Sequence, residues 1–143
     1  MSYYMRYIST DASEITLEIL NKELQAGNQR YSVDESGELR FGDDVLGVVE
    51  INVPSQELFG EEIEELKEFV KGVRGWKRKE VLKALNAART IVAVQVLFDG
   101  QDADAVLEKL MPLWDWLLAN RNGLLQADDE GYYNKSGLIL KVE

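Results

Sequence analysis

The stretch that decides the fold reads Thr90-Ile91-Val92-Ala93-Val94-Gln95-Val96-Leu97-Phe98. It is apolar at almost every position and rich in β-branched residues, which favour strands. A strand that is apolar on both faces is typical of a sheet covered on both sides. We therefore expect residues 90–98 to form a central strand with other elements packed above and below it.

The pattern on either side of this strand predicts an α+β protein, with helices packed on a largely antiparallel sheet. Further strands are expected at residues 3–9, 30–34, 38–41, 45–53, 124–127, 131–133 and 138–142. Helices are expected from about residue 11 to 25, and at 58–73, 77–89 and 104–120. Thr10 or Asp11 is the expected cap of the first helix. Pro112 should kink or break the last one.

A short motif occurs twice. Residues 28–37 can be laid on residues 122–131 with the same Asn, Asp and Gly, and each copy follows a helix that follows a strand. This favours a duplication, although turns between short strands also converge on Asp and Gly. The expected organisation is a single domain, 1–143, with repeat units 1–54 and 90–143 and a helical connector, 55–89.

The composition excludes several kinds of chemistry. The chain has no cysteine and no histidine, so disulfides, zinc–thiolate sites and the commonest general base are absent. No phosphate-binding or cofactor motif is present, and we expect no cofactor. The formal net charge of −10 makes nucleic acid an unlikely partner. No apolar run has the length of a membrane span, no signal peptide is recognisable, and a cytoplasmic protein is expected.

Acidic clusters occur mainly where turns are predicted. They are Asp34-Glu35, Asp43-Asp44 and Asp128-Asp129-Glu130. Asp is favoured in turns by its own backbone hydrogen bonds, so these groups are expected to be solvated. Residues 99–104 contain three further acids, but their spacing does not fit a calcium loop. Asp102 and Asp104 are expected to cap the following helix instead, and no metal site is predicted.

The sign of the charge reverses within the connector. Six glutamates, Glu57, Glu61, Glu62, Glu64, Glu65 and Glu68, precede seven cations, Lys71, Arg74, Lys77, Arg78, Lys79, Lys83 and Arg89. Trp76 lies in the middle of the basic stretch. A basic stretch around an aromatic residue is compatible with binding nucleic acid or an acidic lipid surface. Pairing with the acids, within the chain or across a homodimer, is favoured here.

The helix around Trp114 offers a candidate recognition surface. The apolar stripe places Trp114 in the core and Trp116 off the stripe, next to Asp115. An exposed tryptophan is typical of a binding hot spot, unless the Pro112 kink turns Trp116 under a neighbouring strand or Trp116 caps the core. One member of the Tyr132-Tyr133 pair should also be exposed. The candidate partner-binding residues are Trp116, Asp115, Trp76, Arg78 and Tyr132.

These features favour a non-enzymatic protein-binding module with a basic protein partner. Size and acidity are similar to those of small secretion chaperones and toxin-neutralising immunity proteins, without a shared motif. A substitution Trp116→Ala is expected to weaken the complex and spare the fold. The alternatives are a small-ligand domain or carboxylate-based enzyme with a site between the two repeats, and a structural homodimer.

Overall fold

The structure, a computed structural model, describes residues 3–98 and 100–142. The strands are β1 Tyr3–Ser9, β2 Tyr31–Val33, β3 Glu38–Phe41, β4 Asp44–Asn52, β5 Thr90–Val96, β6 Gly123–Ala127, β7 Gly131–Asn134 and β8 Gly137–Lys141. The helices are α1 Leu17–Gly27, α2 Glu57–Lys71, α3 Arg78–Asn86 and α4 Ala103–Asn120. Asp99, the first acid of the predicted 99–104 stretch, lies outside the described residues.

Within the described residues, the strands form one sheet in the order β2-β3-β4-β5-β1-β6-β7-β8. Every neighbouring pair is antiparallel. The predicted α+β class, with helices on a largely antiparallel sheet, is therefore confirmed. The expected central strand, β5, lies beside β1 in the middle of the sheet.

The two halves of the chain interlock at this centre. β1 pairs with β5 and β6, which both come from residues 90–143, whereas β5 pairs with β1 and β4, which both come from residues 1–54. The meander β2-β3-β4 runs from an edge to the centre, and β6-β7-β8 runs from the centre to the other edge. The two segments share an order of elements but not a strand order, and the duplication stays a hypothesis.

Each face of the sheet has its own hydrophobic core. α1 and α4 cover one face and contact Val92, Val94 and Val96 of β5. α2 and α3 cover part of the other face and contact Ile91 and Ala93. Because alternate residues of a strand point to opposite faces, both sets of β5 side chains are buried, and this explains its almost uninterrupted apolar sequence.

The first helix begins later than predicted. Its cap is Thr16, whose Oγ1 accepts a hydrogen bond from the backbone N–H of Ile19 at 3.1 Å. The predicted cap, Asp11, instead accepts from the N–H of Ser13 at 2.9 Å, within a turn. Ile15, directly before Thr16, is buried in the core. The chain must therefore place Ile15 in the core before the helix begins.

The last helix is continuous from Ala103 to Asn120, and Pro112 does not break it. Asp102 caps it as predicted, because its carboxylate accepts from the backbone N–H of Ala105 at 3.2 Å. Among the helices of residues 3–98 and 100–142, none combines the length and apolar character that crossing a bilayer requires.

Candidate functional site

The tryptophan expected to be exposed on α4 is half-buried. Trp116 packs against the core under α1 and α4, and the guanidinium carbon of Arg121 lies 5.2 Å from the centre of its ring. Asp115 beside it is exposed. Trp114 is fully buried, as predicted. Trp116 therefore presents only part of its ring on the α1–α4 side.

Trp76 is the side chain with the surface expected of a recognition residue. It is 87% exposed in the loop before α3, and the Nζ of Lys77 lies 4.4 Å from its ring centre. Arg78 has a structural role in the same loop. Its Nη1 donates to the carbonyls of Lys71 and Val73, each at 3.3 Å, where α2 ends.

Tyr132 is not on the surface, contrary to prediction. It is 2% exposed and lies in the core beneath α2 and α3, because its side chain points to the same face as Ile8 and Leu140. Burial raises its pKa well above the ordinary value. Its neighbour Tyr133 is the half-buried member of the pair, and its hydroxyl donates to Glu130 at 2.6 Å.

Arg6 is not among the candidates from the sequence. It binds three polar side chains on the face of the sheet that α2 and α3 partly cover. Its Nε donates to Glu62 at 2.7 Å, and its Nη1 donates to Gln126 at 2.7 Å and Asp128 at 3.1 Å. Burial alone would lower the pKa of Arg6, but the bond to Glu62 and the charge of Asp128 raise it, so the guanidinium stays charged. The sequence contained one indication of this role, because Arg6 is the one charged residue of β1.

A polar row crosses the sheet at this point. The strand registers place Glu50 opposite Ala93, Ala93 opposite Arg6, and Arg6 opposite Gln126. Because Ala93 has only a methyl group, space remains above the sheet between the longer side chains of Glu50 and Arg6. The residues of this row line two cavities that residues of α2 also line, so the row is the floor of a groove with α2 as a wall.

The α2 groove consists of two cavities, of about 370 Å³ and 400 Å³, that share Arg6, Glu62 and Glu65. One wall is α2, which contributes residues from Leu58 at one end to Phe69 at the other. The floor comes from β4, β5, β1 and β6, together with Tyr132 of β7. The groove therefore runs alongside α2 and across the strands.

The groove is acidic in its middle and apolar at its ends. In the described part of the chain, no cation pairs with Glu50, Glu61 or Glu65. Leu58 is 61% exposed and Phe69 is 58% exposed. This combination suits a segment that carries both cations and apolar side chains.

Two acids of the groove are held in ion pairs. Glu62 and Asp128 are both bound by Arg6, at 2.7 and 3.1 Å, so each already has a cationic partner. The acids of the turn after β2 are also engaged structurally. The carboxylate of Asp34 accepts from the hydroxyl and N–H of Ser36 and from the N–H of Glu38, and these bonds lower its pKa.

No known protein family, curated protein or solved structure matches this chain.

Proposed function

We propose that this chain is a non-enzymatic binding module that receives a basic, amphipathic segment of a protein partner in the α2 groove. The observation that carries the proposal is the trio Glu50, Glu61 and Glu65, which lies between the exposed side chains of Leu58 and Phe69 and forms no ion pair with residues 3–98 or 100–142. Cations of the partner would pair with the glutamates, and its apolar side chains would cover Leu58 and Phe69.

The dimensions of the groove suit a short helix. Neighbouring strands are about 4.8 Å apart, so the distance from β4 to β6 is about 14 Å. A helix rises about 1.5 Å per residue, so roughly ten residues span that distance. Recognition of this kind, with an amphipathic helix in an apolar groove, is a recurrent mode of peptide binding.

A role as a chaperone or as an immunity protein would fit such a module, because both work by occupying a surface of a partner rather than by catalysis. The acidic groove would speed association with a basic partner and make the rate depend on salt. The cytoplasm stays the proposed compartment.

A small cationic ligand in the same groove is the second candidate. It is favoured by the position of the groove, whose floor combines β1 and β4 of residues 1–54 with β5 and β6 of residues 90–143. A ligand site at the junction of two similar units was the alternative expected from the sequence.

The test compares capture by three forms of the immobilised protein from a lysate of its source. The groove variant carries Glu50→Lys and Glu65→Lys, and the control variant carries Glu14→Lys and Glu108→Lys, two exposed residues outside the groove. Both variants change the net charge by the same amount. The proposal expects one basic protein to be retained by the wild type and the control, with at least about tenfold weaker binding to the groove variant.

The outcomes separate the two candidates. If both variants lose binding equally, only the overall charge matters. If both retain the protein equally, the interface lies elsewhere. Either result would refute the groove proposal. If no protein is retained, but a small cation such as spermidine raises the melting temperature of the wild type and not of the groove variant, the small-ligand candidate takes its place.

A further inference from the structure

The outer surface of α2 is a row of acids. Glu57, Glu64 and Glu68 are exposed, whereas Phe59, Ile63 and Val70 are buried against the sheet. At 3.6 residues per turn, the three glutamates lie on the side of the helix opposite the buried residues. We call these three residues the outer acidic row.

The outer surface of the neighbouring α3 is basic. Lys79 and Lys83 are exposed on the side opposite the buried Val81 and Leu85. Arg74 and Trp76 are exposed in the loop that leads into α3. Lys79, Lys83 and Arg74 form the outer basic row. The layer formed by α2 and α3 therefore has an acidic half and a basic half, with a tryptophan at the basic end.

These two rows do not neutralise each other within the chain. In the described residues no ion pair joins α2 to α3, and the pairs that form stay local: Lys67 with Glu64, Lys71 with Glu68, and Lys77 with Glu80. Both rows point away from the sheet, so their charges are directed outward rather than at each other. The internal pairing expected from the sequence is thus limited to Lys71 and Glu68.

We propose that this layer is the contact surface of a homodimer, in which α2 of each copy faces α3 of the other. A two-fold axis in the contact plane, running along the line between the two helices, places each outer acidic row opposite an outer basic row. The contact is isologous, so both charge matches form at once and the assembly closes at two copies. Trp76 would then be covered by the second copy.

A second copy fits this surface better than an anionic membrane or nucleic acid does. Either of those would be attracted by the outer basic row but repelled by the outer acidic row, which lies on the same layer. The net charge of −10 adds to that repulsion. A second copy alone supplies both signs in the matching arrangement.

The expected dimer is weak. Two adjacent helices, the longer with 15 residues, present a face of roughly 20 by 20 Å, or about 400 Å² per copy. That is smaller than most stable interfaces. Association should therefore appear only at high protein concentration and should decrease with salt.

A charge-swap experiment tests the arrangement. The acid-reversed variant carries Glu64→Lys and Glu68→Lys, and the base-reversed variant carries Lys79→Glu and Lys83→Glu. Each variant alone brings like charges together and should stay monomeric. An equimolar mixture should form a heterodimer, because every reversed row then faces a row of opposite charge. None of the four residues lines the α2 groove, so the result is independent of the proposed function.

Sedimentation velocity from about 10 μM to about 1 mM covers the expected affinity range. Circular dichroism verifies that each variant is folded, and the pair Glu14→Lys and Glu108→Lys serves as the charge-matched control for the acid-reversed variant and should still dimerise. In the wild type, Trp76→Ala should weaken association about tenfold or more. A wild type that is monomeric throughout, reversed variants that dimerise alone, or a mixture that does not associate would each overturn the proposal.

Discussion

At the scale of single residues, Tyr7 shows how burial in the centre of the sheet destabilises a polar group. Its side chain is fully buried, and its hydroxyl has no hydrogen-bond partner among the described residues. A buried donor without a partner is destabilising. Burial, followed by the nearby charge of Asp11, raises the pKa of Tyr7 well above that of an exposed tyrosine.

The raised pKa of Tyr7 makes stability depend on alkaline pH. The folded state holds the phenolic proton more tightly than the unfolded state, so its contribution is complete below the unfolded pKa of about 10 and is lost at higher pH. We predict that Tyr7→Phe increases the free energy of unfolding by about 1 kcal/mol at neutral pH, and reduces the loss of stability above pH about 10.

Urea unfolding at neutral pH and near pH 11 measures both effects of Tyr7→Phe, the higher value being about one unit above the tyrosine pKa. The matched control is Tyr133→Phe, which removes a hydroxyl that does have a partner, Glu130 at 2.6 Å. The control should be no more stable than the wild type. A Tyr7→Phe variant that is less stable than the wild type at neutral pH would show that the hydroxyl is satisfied.

At the scale of elements, the start of α1 shows how tertiary contacts select among possible caps. Thr10, Asp11 and Thr16 are all residue types that favour the position before a helix. Only Thr16 caps, because Ile15 must reach the core under α1 and α4 before the helix begins. Local chemistry thus predicts that a helix follows β1, and packing decides at which residue it starts.

We predict that Thr16→Ala lowers the free energy of unfolding by about 1 kcal/mol, since the N–H of Ile19 loses its acceptor. Thr16→Ser keeps a hydroxyl and should retain most of the stability. Thermal unfolding followed by far-UV circular dichroism measures the difference. If Asp11→Ala lowered helix content while Thr16→Ala left it unchanged, the helix would begin where the sequence pattern first suggested.

At the scale of the whole molecule, the interlocked centre makes the two segments depend on each other. β1 finds both of its partner strands in residues 90–143, and β5 finds both of its partner strands in residues 1–54. Residues 1–54 alone would leave β1 without a neighbouring strand, and residues 90–143 alone would leave β5 without one. The segments are therefore not independent folding units, whatever the origin of their similar sequences.

We predict that peptides of residues 1–54 and 90–143 are each unfolded alone, because neither can pair its first strand. Circular dichroism and one-dimensional NMR measure this directly, with the intact chain as the reference. Well-dispersed NMR signals from either peptide alone would contradict the interlocked arrangement.

The sequence by itself determined the α+β class, the position of most strands and helices, the central place of residues 90–98, and the burial of Trp114. These follow from hydrophobic periodicity and turn chemistry, which act over a few residues and can be read from any short window. The same reasoning made Asp102 the cap of α4.

Only the tertiary structure decided which distant residues meet. The strand order placed Arg6 of β1 beside Gln126 and Asp128 of β6, more than a hundred positions away, and buried Tyr132 rather than Tyr133. The same strand order placed Glu50, Arg6 and Gln126 along one groove that α2 also lines. A local pattern specifies which side of a strand is apolar, but strand order and helix placement depend on how all the apolar faces are buried together.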